Sequence, residues 1–196
     1  MKEKMNKFKI MCLIDLQNDF IDGSLGTPEA QAIVPKVVEK INNYEDKENT
    51  LILFTKDTHY SDYLDTLEGK MLPVPHCIEG TDGWCINKEI ASAVIGNPDF
   101  LMYSSGKIKD SRILKNTFGS DVLEDFLVEH KDEIKEIEFC GLCTSICVLS
   151  NAIMARQKLP NTRIVVDASC CACVSPESHK HALEAMKMCQ IEVINE

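Results

Sequence analysis

Residues 8–14, Phe-Lys-Ile-Met-Cys-Leu-Ile, form an almost unbroken apolar run. A strand that alternates apolar and polar residues keeps one face in water. A strand without that alternation has to be covered on both faces, as in the middle of a parallel sheet. Residues 50–55, Thr-Leu-Ile-Leu-Phe-Thr, carry the same pattern. Between the two runs, Ile33, Val34, Val37, Val38 and Ile41 recur at helical spacing within residues 30–44. The alternation continues with a short helix over 87–95, a weak strand over 99–103, a strand-like piece at 112–115 and a helix over 121–130. A strand over 134–139, a helix over 144–159 and a strand over 163–166 follow. Ser175-Pro176 opens a helix running to 188, and a last strand covers 191–194. Strands alternating with helices predict an α/β fold. The expected form is a three-layer αβα, doubly wound and mainly parallel sheet, as a single domain over residues 1–196.

The 196 residues suffice for one sizeable core, and a net charge of −10 with no basic run argues against nucleic acid and anionic membrane surfaces. No apolar run approaches a membrane span, and the charged start Met1-Lys2-Glu3-Lys4 has no apolar signal core. In that setting the ten cysteines read as free thiols of a cytoplasmic protein, most of them packing the core.

The chemistry-bearing residues collect where strands end, which is where open α/β sheets bind ligands. Asp15 closes the first strand, either as a functional acid or as a cap. Lys56-Asp57-Thr58-His59 closes the second, and an irregular stretch, 60–84, adds Glu68, His76 and Trp84. Asp57 and His59, two apart on an extended strand end, point to one side. With Glu68 and His76 they compose a set suited to zinc, iron or manganese, unless they are simply exposed loop residues. Lys115 sits among apolar neighbours, the ordinary setting of a snorkelling lysine. Cys140-Gly-Leu-Cys143-Thr-Ser-Ile-Cys147 then follows a strand, with Thr144 or Ser145 as a helix cap. A cysteine in a first helical turn meets partial positive charge and unpaired N–H groups, so Cys147 is a candidate nucleophile, the alternative being a buried structural thiol. Cys143 and Cys147 with Cys170, Cys171 and Cys173 also leave open a thiol-based metal-binding or redox protein. No GxGxxG or GxxxxGK pattern occurs, which weighs against nucleotide cofactors.

Four ordered pieces resemble the isochorismatase-like cysteine hydrolases, and within them the nicotinamidase-like branch. They are Cys12-Leu-Ile-Asp15-Leu-Gln-Asn-Asp-Phe20, then Thr55-Lys-Asp57-Thr-His59 with Pro75-His76-Cys77-Ile-Glu-Gly80-Thr81. Lys115-Asn-Thr-Phe118-Gly-Ser120 and Gly141-Leu-Cys143-Thr144-Ser-Ile-Cys147-Val148 complete the set. The resemblance implies an Asp15–Lys115–Cys147 triad hydrolysing an amide through a thioester. It implies an oxyanion hole of the Cys143 and Cys147 backbone N–H groups, and a cis Leu142–Cys143 peptide. It further implies a metal on Asp57, His59, Glu68 and His76, zinc first, that orients the substrate, with Phe20 and Trp84 against its ring. The implied reaction is nicotinamide to nicotinate and ammonia, in NAD salvage, by a homo-oligomer. Two positions depart from the pattern: Ser145 stands where relatives commonly have Asp, and Pro73 where they often have Trp. The second favours an alternative substrate, a carbamoyl or ureido compound.

Overall fold

A computed structural model describes residues 7–196. Six strands form one sheet: β1 (Phe8–Ile14), β2 (Thr50–Asp57), β3 (Arg112–Lys115), β4 (Ile134–Leu142), β5 (Arg163–Ala172) and β6 (Glu192–Ile194), in the order β3-β2-β1-β4-β5-β6. Every pairing is parallel. The helices are α1 (Asn18–Ile21), α2 (Pro28–Asn43), α3 (Leu67–Met71), α4 (Lys88–Ile95), α5 (Asp121–Glu129), α6 (Leu149–Lys158) and α7 (Pro176–Met188).

Side-chain parity splits the apolar residues into two layers. Ile10, Cys12 and Ile14 of β1 face Leu123 and Phe126 of α5, Ala152 and Ala155 of α6, and Leu183 of α7. Met11 and Leu13 face Ile33 and Val37 of α2 and Ile90 of α4. The doubly wound αβα fold expected from the alternation is therefore present. Each central strand is buried on both faces, which is why it shows no period of two. No helix among the described residues is long and apolar enough to cross a membrane.

Three local expectations change. Residues 99–103 form no strand. Leu101 makes one isolated bridge to Leu51, because from Phe54 onward that edge of β2 is taken by β3. The stretch 60–84 is not wholly irregular, since it holds a 3-10 turn at Tyr63–Asp65 and the short α3. β5 runs well past residue 166, to Ala172, after a register shift against β4.

One charged cluster crosses the α2 side of the sheet. Lys40 Nζ lies 2.5 Å from Glu138 Oε1 and 2.7 Å from Asp167 Oδ2. Ser169 Oγ and Asn195 Nδ2 also donate to Asp167, at 2.7 and 3.0 Å. Burial pushes the Asp167 carboxyl up, but the hydrogen bonds from Lys40 and Ser169 outweigh it and hold it below the usual carboxylate range. A depressed carboxylate stabilises the fold above its unfolded pKa and loses that contribution as pH falls through the folded one. Asp167→Asn is therefore expected to cost about 2 kcal/mol near neutrality, as for hydrogen bonds to a charged group. The gap to wild type should shrink below about pH 4. Urea unfolding of both proteins across that range checks it; a gap constant with pH would refute the ionic origin.

Candidate active site and metal centre

β1 has neighbours on both sides, β2 and β4, and the chain direction around the sheet reverses between β1 and β4. The crevice beyond such a switch point is where ligands bind. Asp15, just past β1, and Cys147, just past β4, flank it.

Asp15 leaves its strand with a positive φ of 47°. Its Oδ1 accepts a hydrogen bond from Thr55 Oγ1 at 2.7 Å, and its backbone N–H donates back to the same hydroxyl. Its Oδ2 lies 2.7 Å from Lys115 Nζ. Lys115, at the end of β3, is not a snorkelling surface lysine: its side chain is 1% exposed. The ammonium also reaches Cys147 Sγ at 3.6 Å and Asp57 Oδ1 at 3.3 Å. The structure thus brings Asp15, Lys115 and Cys147 together.

Burial pushes the Asp15 carboxyl up, with Lys115 opposing. Burial and the adjacent Asp15 hold the Cys147 thiol well above its ordinary value, again with Lys115 opposing. These surroundings favour the neutral thiol at Cys147. Residues Thr144–Val148 form a π-helical turn ahead of α6, and neither Thr144 nor Ser145 caps it. Thr144 Oγ1 instead meets His179 Nδ1 at 2.8 Å, and Ser145 Oγ meets Cys173 Sγ at 2.9 Å. The Leu142–Cys143 peptide is cis.

Asp57, His59, Glu68 and His76 place one ligand atom each within 4.8 Å of one another. They are not exposed loop residues: Asp57, His59 and His76 are buried. The donor set fits a divalent metal. His76 Nδ1 faces the Val74 carbonyl at 2.9 Å, which assigns its proton there and leaves Nε2 as a donor atom 3.4 Å from Asp57 Oδ2. His59 Nε2 lies 3.0 Å from the same oxygen, and Glu68 Oε1 approaches both imidazoles at 3.7 and 3.8 Å. Asp57 thus faces Lys115 with one oxygen and the two imidazoles with the other.

Phe20 packs beside this set, its ring centroid 5.4 Å from that of His76. Trp84 sits elsewhere. Its indole covers Lys56, whose side chain leaves β2 on the face opposite Asp57, and its Nε1 donates to Thr58 Oγ1 at 2.9 Å. Pro73 is exposed.

Several positioning residues escaped the sequence reading. Gln17 pairs with the Asp57 backbone like an added strand, Oε1 accepting from its N–H at 2.7 Å and Nε2 donating to its carbonyl at 2.8 Å. Asp19 accepts from Cys77 N–H at 2.7 Å, tying the His76 loop to α1. Asn151 donates to the carbonyls of Cys147 and Phe118 and accepts from Ser120 N–H, joining the Cys147 turn to the segment after Lys115. Only Asn151, one helical turn after Cys147, left a spacing signal.

Removing His59 or His76 is expected to weaken zinc binding by at least about 100-fold, beyond the typical effect of an outer-shell partner. Cys143→Ser and Cys170→Ser should leave it unchanged. Equilibrium dialysis with metal analysis decides, and the opposite pattern would support a thiolate metal site.

Residues 9–196 match the sequence model of the family described as Isochorismatase domain. The chain resembles the crystal structure of nicotinamidase/pyrazinamidase PncA from Bacillus subtilis, at TM-score 0.76 and 26% identity, over 96% of this chain and 100% of that one. The crystal structure of pyrazinamidase/nicotinamidase from Streptococcus mutans UA159 is similar at TM-score 0.77 and 26% identity, over 95% and 99% of the two chains. A curated relative, the nicotinamidase of Saccharomyces cerevisiae, is 23% identical over 219 aligned residues, covering 95% of this chain and 99% of its own.

Proposed function

We propose that this chain, which belongs to the isochorismatase domain family, is a cysteine amidohydrolase that converts nicotinamide and water to nicotinate and ammonia. The observation that carries this reading is the buried Lys115, shared among Asp15, Cys147 and Asp57. One cation joins a thiol–carboxylate pair to a metal-ligand set, as a reaction needing both a nucleophile and an oriented ring requires.

The chemistry follows from the resting state. Asp15, its pKa raised by burial, is suited to take the Cys147 proton as the thiol attacks the carboxamide carbon. Lys115 stays beside the sulfur and stabilises the thiolate character that develops. The tetrahedral oxyanion is held by backbone N–H groups of Cys143 and Cys147. Asp15 returns the proton to the leaving nitrogen and ammonia departs, leaving a thioester on Cys147. Water, deprotonated by Asp15, hydrolyses the thioester and frees the acid and the thiol. Asp57, His59, Glu68 and His76 would hold a divalent metal, zinc first, with iron and manganese as alternatives. A metal held there would supply a Lewis acid for a ring nitrogen, orienting the amide toward the thiol. Phe20 would pack on the ring.

The test is ammonia release from nicotinamide with added zinc, manganese or iron. The exposed Pro73 supplies no aromatic wall at its position, which favours carbamoyl or ureido amides as the second reading. Release from such a compound but not from nicotinamide would select it.

A further inference from the structure

Lys56 is 4% exposed, and no salt bridge or hydrogen bond engages its ammonium among the described residues, Glu79 acting on it only through its charge. Buried charges are ordinarily paired. Here the charge rests on an aromatic face, with Nζ 2.9 Å from the centroid of the Trp84 ring. The ammonium lies at the side of a pocket of about 370 Å³, between β2 and α4, walled by Phe54, Ile86, Val94, Ile95 and Met102. Arg112 stands at the same pocket, 2.8 Å from Asp110 Oδ2. The volume is within the range of small-molecule sites. Cys147, Asp15 and the metal-ligand set do not line it.

We propose that this pocket is a second ligand site, taking a small carboxylate with an aromatic or aliphatic body, its anionic group at Lys56 and its body against the apolar walls. Three observations converge on that ligand class. The unpaired ammonium asks for an anion, and a carboxylate would restore the solvation that burial removes. The walls ask for an apolar body and offer few other polar partners. Trp84 is held at its ring, whose Nε1 donates to Thr58, and at its backbone, whose carbonyl accepts from Gln17 Nε2 at 3.0 Å, so the wall under the cation is already ordered. The inference is independent of the reaction proposed at Cys147.

Trp84 is the only tryptophan in the chain and lines this pocket, so intrinsic tryptophan fluorescence reads its occupancy. The probe is benzoate, titrated into the full-length protein. A saturable fluorescence change is expected. The Lys56→Met variant should bind at least about tenfold more weakly, the usual weight of a charge-assisted contact. Ala91→Phe, which fills the pocket from α4, should abolish the change, and circular dichroism verifies that both variants fold. Benzamide, the neutral counterpart, should bind at least about tenfold more weakly than benzoate. Because Cys85 is an exposed thiol lining the pocket, the Cys85→Ser variant is the one alkylated at Cys147, and it should bind benzoate as before. The proposal is overturned by the absence of a saturable change, by equal affinity for benzoate and benzamide, or by unchanged binding in Lys56→Met. Loss of the signal on Cys147 alkylation would overturn it too, since it would place the benzoate in the crevice at Cys147.

Discussion

Cys147→Ala is expected to abolish ammonia release from nicotinamide, lowering kcat by at least about 10⁴-fold, because members of a nucleophile–base unit lose nearly all their effect together. The substitution removes one sulfur from a site where Cys147 is 6% exposed. Asp15 and Lys115 remain 2.7 Å apart without it. The fold and the metal-ligand set should therefore survive, and the far-ultraviolet spectrum and zinc content should match wild type. The decisive readout is the pair of measurements on one preparation: metal retained, turnover gone. Equal turnover by both proteins would refute covalent catalysis at Cys147. It would leave hydrolysis to a water activated elsewhere in the crevice.

The largest expected loss of stability follows Gly141→Ala. Gly141 lies inside β4 with φ at +132°, a conformation that side-chain-bearing residues rarely adopt. A Cβ added there would overlap the Ile14 carbonyl of β1, the residue directly paired with it. Relief by shifting the strand is blocked, since β4 is held by β1 on one side and, through the Gly141–Cys171 pair, by β5 on the other. The expected cost is about 3–5 kcal/mol, at the upper end for a single substitution. That is a large share of the roughly 5–15 kcal/mol that a native domain has in total. Gly80 supplies the control. It also has a positive φ, 82°, but open space where the Cβ would go. Gly80→Ala should cost only about 1 kcal/mol, the backbone preference alone. Chemical unfolding of the two variants separates the contributions, and equal costs would show that β4 can move away from Ile14.

The long, uniformly apolar strands were legible because burial on both faces leaves a trace in every residue of the run. Residues 8–14 and the start of β2 needed no tertiary information. Helix starts were close at α5 and α7, which Ser120 and Ser175 cap, whereas Thr66 caps α3 without a long enough apolar period to reveal it. The weak stretch at 99–103 was misread because its apolar content reflects Phe100 packing under α2 and α4, not a ladder. The extension of β5 to Ala172 was hidden because Asp167 and Ser169 look like a strand end. Asp167 is buried there, and Lys40 and Asn195 arrive from distant parts of the chain to pair with it.

The candidate site divides in the same way. By itself the sequence determined which residue types were available at strand ends: an acid at Asp15, a DxH pair at Asp57 and His59, a thiol at Cys147. Those positions follow from local pattern, since a buried strand must end where polar residues begin. Only the tertiary structure decided that they meet. By local pattern Lys115 reads as an ordinary surface lysine, and only the resemblance joins it to Asp15 and Cys147, until β3 pairs with β2 and places its ammonium between Asp15 and Asp57. Trp84 reads as a residue of the same crevice until the alternation of β2 puts Lys56, and the indole with it, on the opposite face. Strand order and facing depend on contacts between residues tens of positions apart. Such contacts exist only once the sheet has formed, so no local window of the sequence contains them.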